Sequence, residues 1–156
     1  MTRPISEDNE GKRASQTEFG VRQLFRRPAA KIVAVYHIKV VGDQQVVVTV
    51  TDKFIWAIEE DIAGMALAQV EIDVTTATAA DLTVQLRNVD NGNVNMLSTE
   101  AQIDAGDKHS GTSGTPSVVN IANATVSHMD RIAIDITDGG SAAQGLGLVA
   151  KFSAPV

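Results

Sequence analysis

The stretch Gln69-Val70-Glu71-Ile72-Asp73-Val74-Thr75, followed shortly by Leu82-Thr83-Val84-Gln85-Leu86-Arg87, decides the fold. Val70, Ile72 and Val74 alternate with polar residues, and so do Leu82, Val84 and Leu86. A period of two places one set on a buried face and the other in water, which is the mark of a half-buried strand. Helix would need apolar residues three as well as four apart, and within each stretch they stand two and four apart.

The same period extends in both directions. Ile32, Ala34, Tyr36, Ile38 and Val40 alternate with Lys31, Val33, Val35, His37 and Lys39. Gly42-Asp43 is a turn signal, and Val46, Val48 and Val50 follow, so the pair is expected to form an antiparallel hairpin. Phe54, Trp56 and Ile58 make a further short alternation, stopped by Glu59-Glu60-Asp61. One helical turn fits Glu59–Leu67, where Gly64 limits anything longer. Asp90-Asn91-Gly92 is a turn whose Asn-Gly pair tolerates positive φ. Leu97, Thr99, Ala101 and Ile103 continue the pattern, and residues 104–117 read as a polar loop. A short run at Val118, Val119 and Ile121 follows, then the strand of Ile132, Ile134 and Ile136, a turn at Asp138-Gly139-Gly140, and a last strand through Leu146, Leu148, Ala150 and Phe152. About eight or nine short strands with turns between them predict an all-β chain. Two antiparallel sheets packed face to face bury such strands best. The expected fold is an antiparallel β-sandwich, jelly-roll-like, with a plain Greek-key sandwich as the alternative.

Residues 1–30 differ in kind. They are expected to form an extended basic arm, leaving 31–156 as the sandwich domain. Met1–Gln16 is polar and has no apolar period. Phe19, Val21, Leu24 and Phe25 then stand among charges, before Arg26-Arg27-Pro28. Proline disfavours helix in the residue before it and so separates the arm from the domain. Residues 1–31 hold seven bases and four acids, a balance of +3; residues 32–156 hold six and fifteen, a balance of −9. A basic leader on an acidic body points to an arm that binds a partner. Arg13, Phe19, Arg22, Leu24, Phe25, Arg26 and Arg27 are its candidate partner-binding residues, because arginine and aromatic anchors dominate interface energetics.

The 156 residues suit one domain. Cysteine is absent, which excludes disulfides, thiolate zinc sites and a cysteine nucleophile. No apolar run has the ~18 residues of a membrane span, and the N-terminus lacks the apolar core of a signal peptide. The acidic body would be repelled by nucleic acid, and aromatics at 4% are too few for a stacking platform. His37 is expected on the surface of its strand; His109 and His128 lie in polar stretches without metal-ligand spacing. Glu59-Glu60-Asp61 and the pair Asp104 and Asp107 are read as solvated carboxylates rather than cation ligands. The glycines at 139, 140, 145 and 147 precede no strand-to-helix junction, so they do not form a phosphate cradle. Asn123-Ala124-Thr125 fits the glycosylation triplet. No catalytic residue, cofactor or metal is expected, and the chain is read as non-enzymatic.

A set of short segments in a fixed order adds to this. They are Gly64-Met65-Ala66-Leu67, Thr83-Val84-Gln85-Leu86-Arg87-Asn88-Val89, Met96-Leu97-Ser98-Thr99 and Ile103-Asp104-Ala105-Gly106, then Val119-Asn120-Ile121-Ala122-Asn123, Asp130-Arg131-Ile132-Ala133-Ile134-Asp135-Ile136 and Gly145-Leu146-Gly147-Leu148. In this order they resemble small β-sandwich proteins of tailed-bacteriophage virions, the head decoration, head-fibre and tail structural group. The resemblance covers roughly Val41 to Phe152 and leaves the arm outside. Two places depart from it: Met129-Asp130 stands where a Gly-Asp turn is usual, and Ala57-Ile58-Glu59-Glu60 where an Ile-Pro pair is usual. The group brings no catalytic residues. The resemblance implies a virion structural protein on the capsid surface, a decoration (cement) subunit whose arm docks on the major capsid protein or another virion protein. It also implies a homo-oligomer, for which a trimer is one arrangement. A tail or fibre protein, or a cell-surface carbohydrate-binding module, is the alternative.

Overall fold

The structure, a computed structural model, describes residues 31–154. The candidate residues Arg13, Phe19, Arg22, Leu24, Phe25, Arg26 and Arg27 therefore lie outside the described residues. Ten strands follow in order: β1 (Ile32–Val46), β2 (Val50–Ala57), β3 (Ala66–Thr76), β4 (Leu82–Asn88), β5 (Val94–Asn95), β6 (Leu97–Thr99), β7 (Ala101–Ile103), β8 (Val118–Val119), β9 (Arg131–Gly139) and β10 (Gln144–Ser153). The helical turn near Glu59 is a single 3-10 turn, Glu60–Ile62, which buries Ile62.

One sheet runs β1-β10-β3; the other runs β2-β9-β4, with β5 and β7 sharing the far edge of β4. All these pairings are antiparallel. The pairs β1/β2, β3/β4 and β9/β10 each place one strand in either sheet, so a ribbon of paired strands has been rolled over the core. That is the jelly-roll order. The fourth place in the first sheet, beside β3, is filled by the loop after β7 rather than by a strand.

The alternating residues fill the space between the sheets. Val70, Ile72, Val74, Leu146, Leu148 and Phe152 face Leu82, Val84, Leu86, Ile132, Ile134 and Ile136, and all are buried in one cluster. Tyr36 stands edge-on to Phe152, with ring centroids 5.9 Å apart at 85°.

Two expectations are corrected. β1 and β2 do not form a hairpin. β1 runs through Gly42-Asp43 to Val46 and pairs with β10, while β2 pairs with β9 in the other sheet. Gly42–Gln45 is a bulge instead of a turn: Val41 pairs with Leu146 and Val46 with Gln144, so four residues of β1 stand against Gly145 alone. Asp43 is held in the bulge by an ion pair with Lys39 and by the Thr75 hydroxyl, which donates at 2.9 Å. Val47–Thr49 then crosses between sheets with Val47 buried. The second correction is on β4. Gln85, expected in water, is buried because the segment after β5 folds over it. Its amide donates to the Leu97 carbonyl at 3.2 Å and accepts from the Leu97 N–H at 3.0 Å, reading that backbone as a neighbouring strand would.

Candidate interaction surface

The two long sides of the sandwich are finished differently. On the β3 side, the loop after β7 and the segment after β8 take up the strand's free backbone groups. Val74 N–H donates to the Lys108 carbonyl at 2.8 Å, Ile72 N–H to Ser110 Oγ at 2.9 Å, and Leu67 N–H to the Ala124 carbonyl at 2.9 Å. Ser117 Oγ donates to the Val70 carbonyl at 2.9 Å. The loop is itself anchored on Asp104, whose carboxylate accepts from Gly114 N–H, Ser113 Oγ and Gln102 Nε2. These donors hold the Asp104 carboxyl below its ordinary value, the Gly114 amide contributing most. Asp107 accepts from Thr112 Oγ1 at 2.7 Å. The loop carboxylates thus hold the loop in shape.

Among the described residues the β1/β2 side is bare. β1 ends one sheet and β2 ends the other, and among the described residues no strand pairs with the outer edge of either. Cross-strand partners share a face, so Phe54 and Trp56, opposite Ile134 and Ile132, point inward. Ala34, Tyr36 and Ile38 do the same on β1. Yet these inward residues, along the seam between the two edges, are only partly buried: Tyr36, Ile38 and Trp56 pack against the core without being fully covered by the described residues, and Phe54 is 37% exposed. Beside the edges, Val35 at 47% and Ile55 at 43% are exposed on the outer faces of the two sheets, and Val48 at 55% in the crossing between them. Unpaired edges are templates for another chain. The indole N–H of Trp56 is buried and has no acceptor among the described residues.

One end of the seam is acidic. Glu59, Glu60 and Asp61 follow β2 and are exposed. Tyr36 lies near enough to feel them: burial raises its hydroxyl pKa, and Glu59 and Asp61 raise it further. β1 begins at this end too, because Val47–Thr49 joins the far end of β1 directly to the start of β2, and Lys31 precedes β1.

On the outer face of the second sheet, Arg87 Nε donates to Asp135 Oδ2 at 2.8 Å and Nη2 to Asp135 Oδ1 at 3.1 Å. Nη2 also reaches Asp52 at 2.5 Å, and Nη1 reaches Asn93. Burial pushes the Asp135 carboxyl up, but the Arg87 hydrogen bonds and the Asp52 amide, at 2.7 Å, outweigh it and leave it lowered. Each group has its partners, so the cluster ties β2, β4 and β9 together.

The remaining sequence candidates are scattered. His37, His109 and His128 are all exposed, on β1, in the loop beside Asp73, and before β9. Among the described residues no three His, Asp or Glu side chains stand together to hold a metal ion, and no helix is long and apolar enough to cross a membrane. Asn123 of the glycosylation triplet spends its Nδ2 on the Asn95 carbonyl at 2.9 Å. Gly139 packs under the inter-sheet crossing, where a Cβ would come within 2.9 Å of the Val48 and Thr49 backbone.

The chain matches no family model, no curated protein and no solved structure. The seam was hidden in the sequence because the expected hairpin pairs β1 with β2, which would have consumed the edges that the fold leaves bare. The available signal was Phe54-Ile55-Trp56, three large apolar residues in succession, more than one buried face can take.

Proposed function

We propose that this protein is a non-enzymatic virion structural protein, a decoration subunit of the capsid surface. In this reading its basic leader attaches the acidic sandwich to the major capsid protein. The observation that supports it is the arrangement of the molecule: a jelly roll with its core built from residues 31–154, closed by a loop along one side, and carrying a cationic leader at the start of an edge strand. In this reading the body folds without the leader, and the leader's arginines and aromatics serve the scaffold. Many copies on a lattice add avidity to each weak attachment. The resemblance to phage virion proteins along Val41–Phe152 points the same way.

The experiment is decoration of purified particles. Removing residues 1–30 should leave a folded body whose occupancy falls at least tenfold. Reversing Arg22, Arg26 and Arg27 to Glu should do the same in the full chain. Undiminished occupancy of either would sink the reading. Quantitative gels separate it from a tail or fibre location, with hundreds of copies per particle expected on a shell and a handful on a tail.

A further inference from the structure

We propose that the open seam between β1 and β2 receives the Phe19–Arg27 segment of a second copy's leader. This rests on the leader being a docking arm and adds a receiver for it on the body itself, occupied while the protein is free of any scaffold.

The seam lacks two things. Among the described residues each edge lacks a strand, and Tyr36, Ile38 and Trp56 are only partly buried while Phe54 is exposed. The leader segment has the matching set. Phe19, Val21, Leu24 and Phe25 are apolar residues with no core of their own in the sequence around them. An extended segment added to a sheet edge gains main-chain hydrogen bonds from the edge and specificity from the side-chain pockets.

Charge sets the direction. Arg26 and Arg27 follow the apolar residues immediately, and Glu59-Glu60-Asp61 lies exposed at one end of the seam. Among the described residues none of these three carboxylates is in an ion pair. A leader of balance +3 is also drawn to any body of balance −9.

Pro28 favours a second copy over the chain's own seam. To lie along its own seam the leader would have to reverse direction within the few residues between Arg27 and Lys31, where Pro28 restricts the backbone and disfavours helix in the residue before it. Arg27 stands four positions and Phe19 twelve positions before Lys31, so the segment can extend about 13 to 43 Å from the start of β1, enough for an adjoining copy.

The chain has no cysteine, so introduced cysteines report cleanly. Full-length Leu24→Cys mixed with full-length Phe54→Cys should give a disulfide-linked heterodimer on oxidation. Leu24→Cys mixed with Ile121→Cys, an 88% exposed site away from the seam, should give at least tenfold less. In light scattering without particles, wild type should self-associate. Phe54→Lys, and the triple change of Phe19, Leu24 and Phe25 to Ser, should each weaken association at least tenfold. Mixing those two variants should restore it, because one retains an intact leader and the other an intact seam. Equal cross-linking to Ile121→Cys, no cross-link at Phe54→Cys, or a cross-link formed only within one chain carrying both cysteines would overturn the proposal. So would a wild-type chain that stays monomeric at millimolar concentration. None of these outcomes depends on particle occupancy, which tests the decoration role separately.

Discussion

Asp135 shows how a single residue can break the strand pattern without weakening the strand. It lies on the outer face of β9, where the alternation expects a wet residue, yet it is 8% exposed. It is tolerated because Arg87 and the Asp52 amide satisfy both its oxygens. Removing one partner of a buried pair strands the other. Asp135→Ala should therefore cost roughly 3 kcal/mol in urea unfolding; a loss under about 0.5 kcal/mol would place the pair among weak surface bridges. Asp90 is a different case, exposed and clamped by Arg131 through its guanidinium and backbone N–H. Those bonds lower its pKa from 3.8 to about 2, the side-chain bond contributing most. Between these values the unfolded chain binds more protons than the folded one, so stability rises with pH. The contribution is present above the unfolded value and is lost as pH falls towards about 2. Asp90→Asn should flatten the acid limb of a thermal-stability profile between pH 4 and pH 2 and leave its shape at pH 7 unchanged.

At the scale of elements, the crossings and the loop decide what the strands cannot. The Val47–Thr49 crossing presses on Gly139, and Gly139→Ala should destabilise the domain by about 1–3 kcal/mol through overpacking against backbone. Chemical denaturation measures this; a neutral result would mean that the crossing yields freely. The two sheet edges should differ in amide exchange. Ile72 N–H is capped by Ser110 Oγ, so Ser110→Ala should speed its exchange and cost about 1 kcal/mol. The long strands were legible from alternation: β1, β3, β4, β9 and β10 all contain the runs that predict them. The Asp90 turn was legible too, although the positive-φ pair is Gly92-Asn93, one residue beyond the Asn-Gly pair. Gly42-Asp43 misled because a turn and a bulge call for the same small, polar residues. Only the partner strand distinguishes them, and β10 lies about a hundred residues away.

For the whole molecule, the division between leader and body makes a direct prediction. Chains lacking residues 1–30 should keep their melting temperature within a few degrees, since the described residues form a core cluster among themselves, from Val40 to Phe152. A collapse of the transition would show the leader to be part of that core. What the sequence determined by itself was the class of fold and the split in charge: alternation needs only local spacing, and charge needs only a count. Which strands became neighbours was decided by the tertiary structure, because pairing joins residues far apart through the area they bury together. The long side left open follows from that pairing. β10 and β9 took the inner edges of β1 and β2, the loop after β7 covered β3, and no described segment was left to cover the seam.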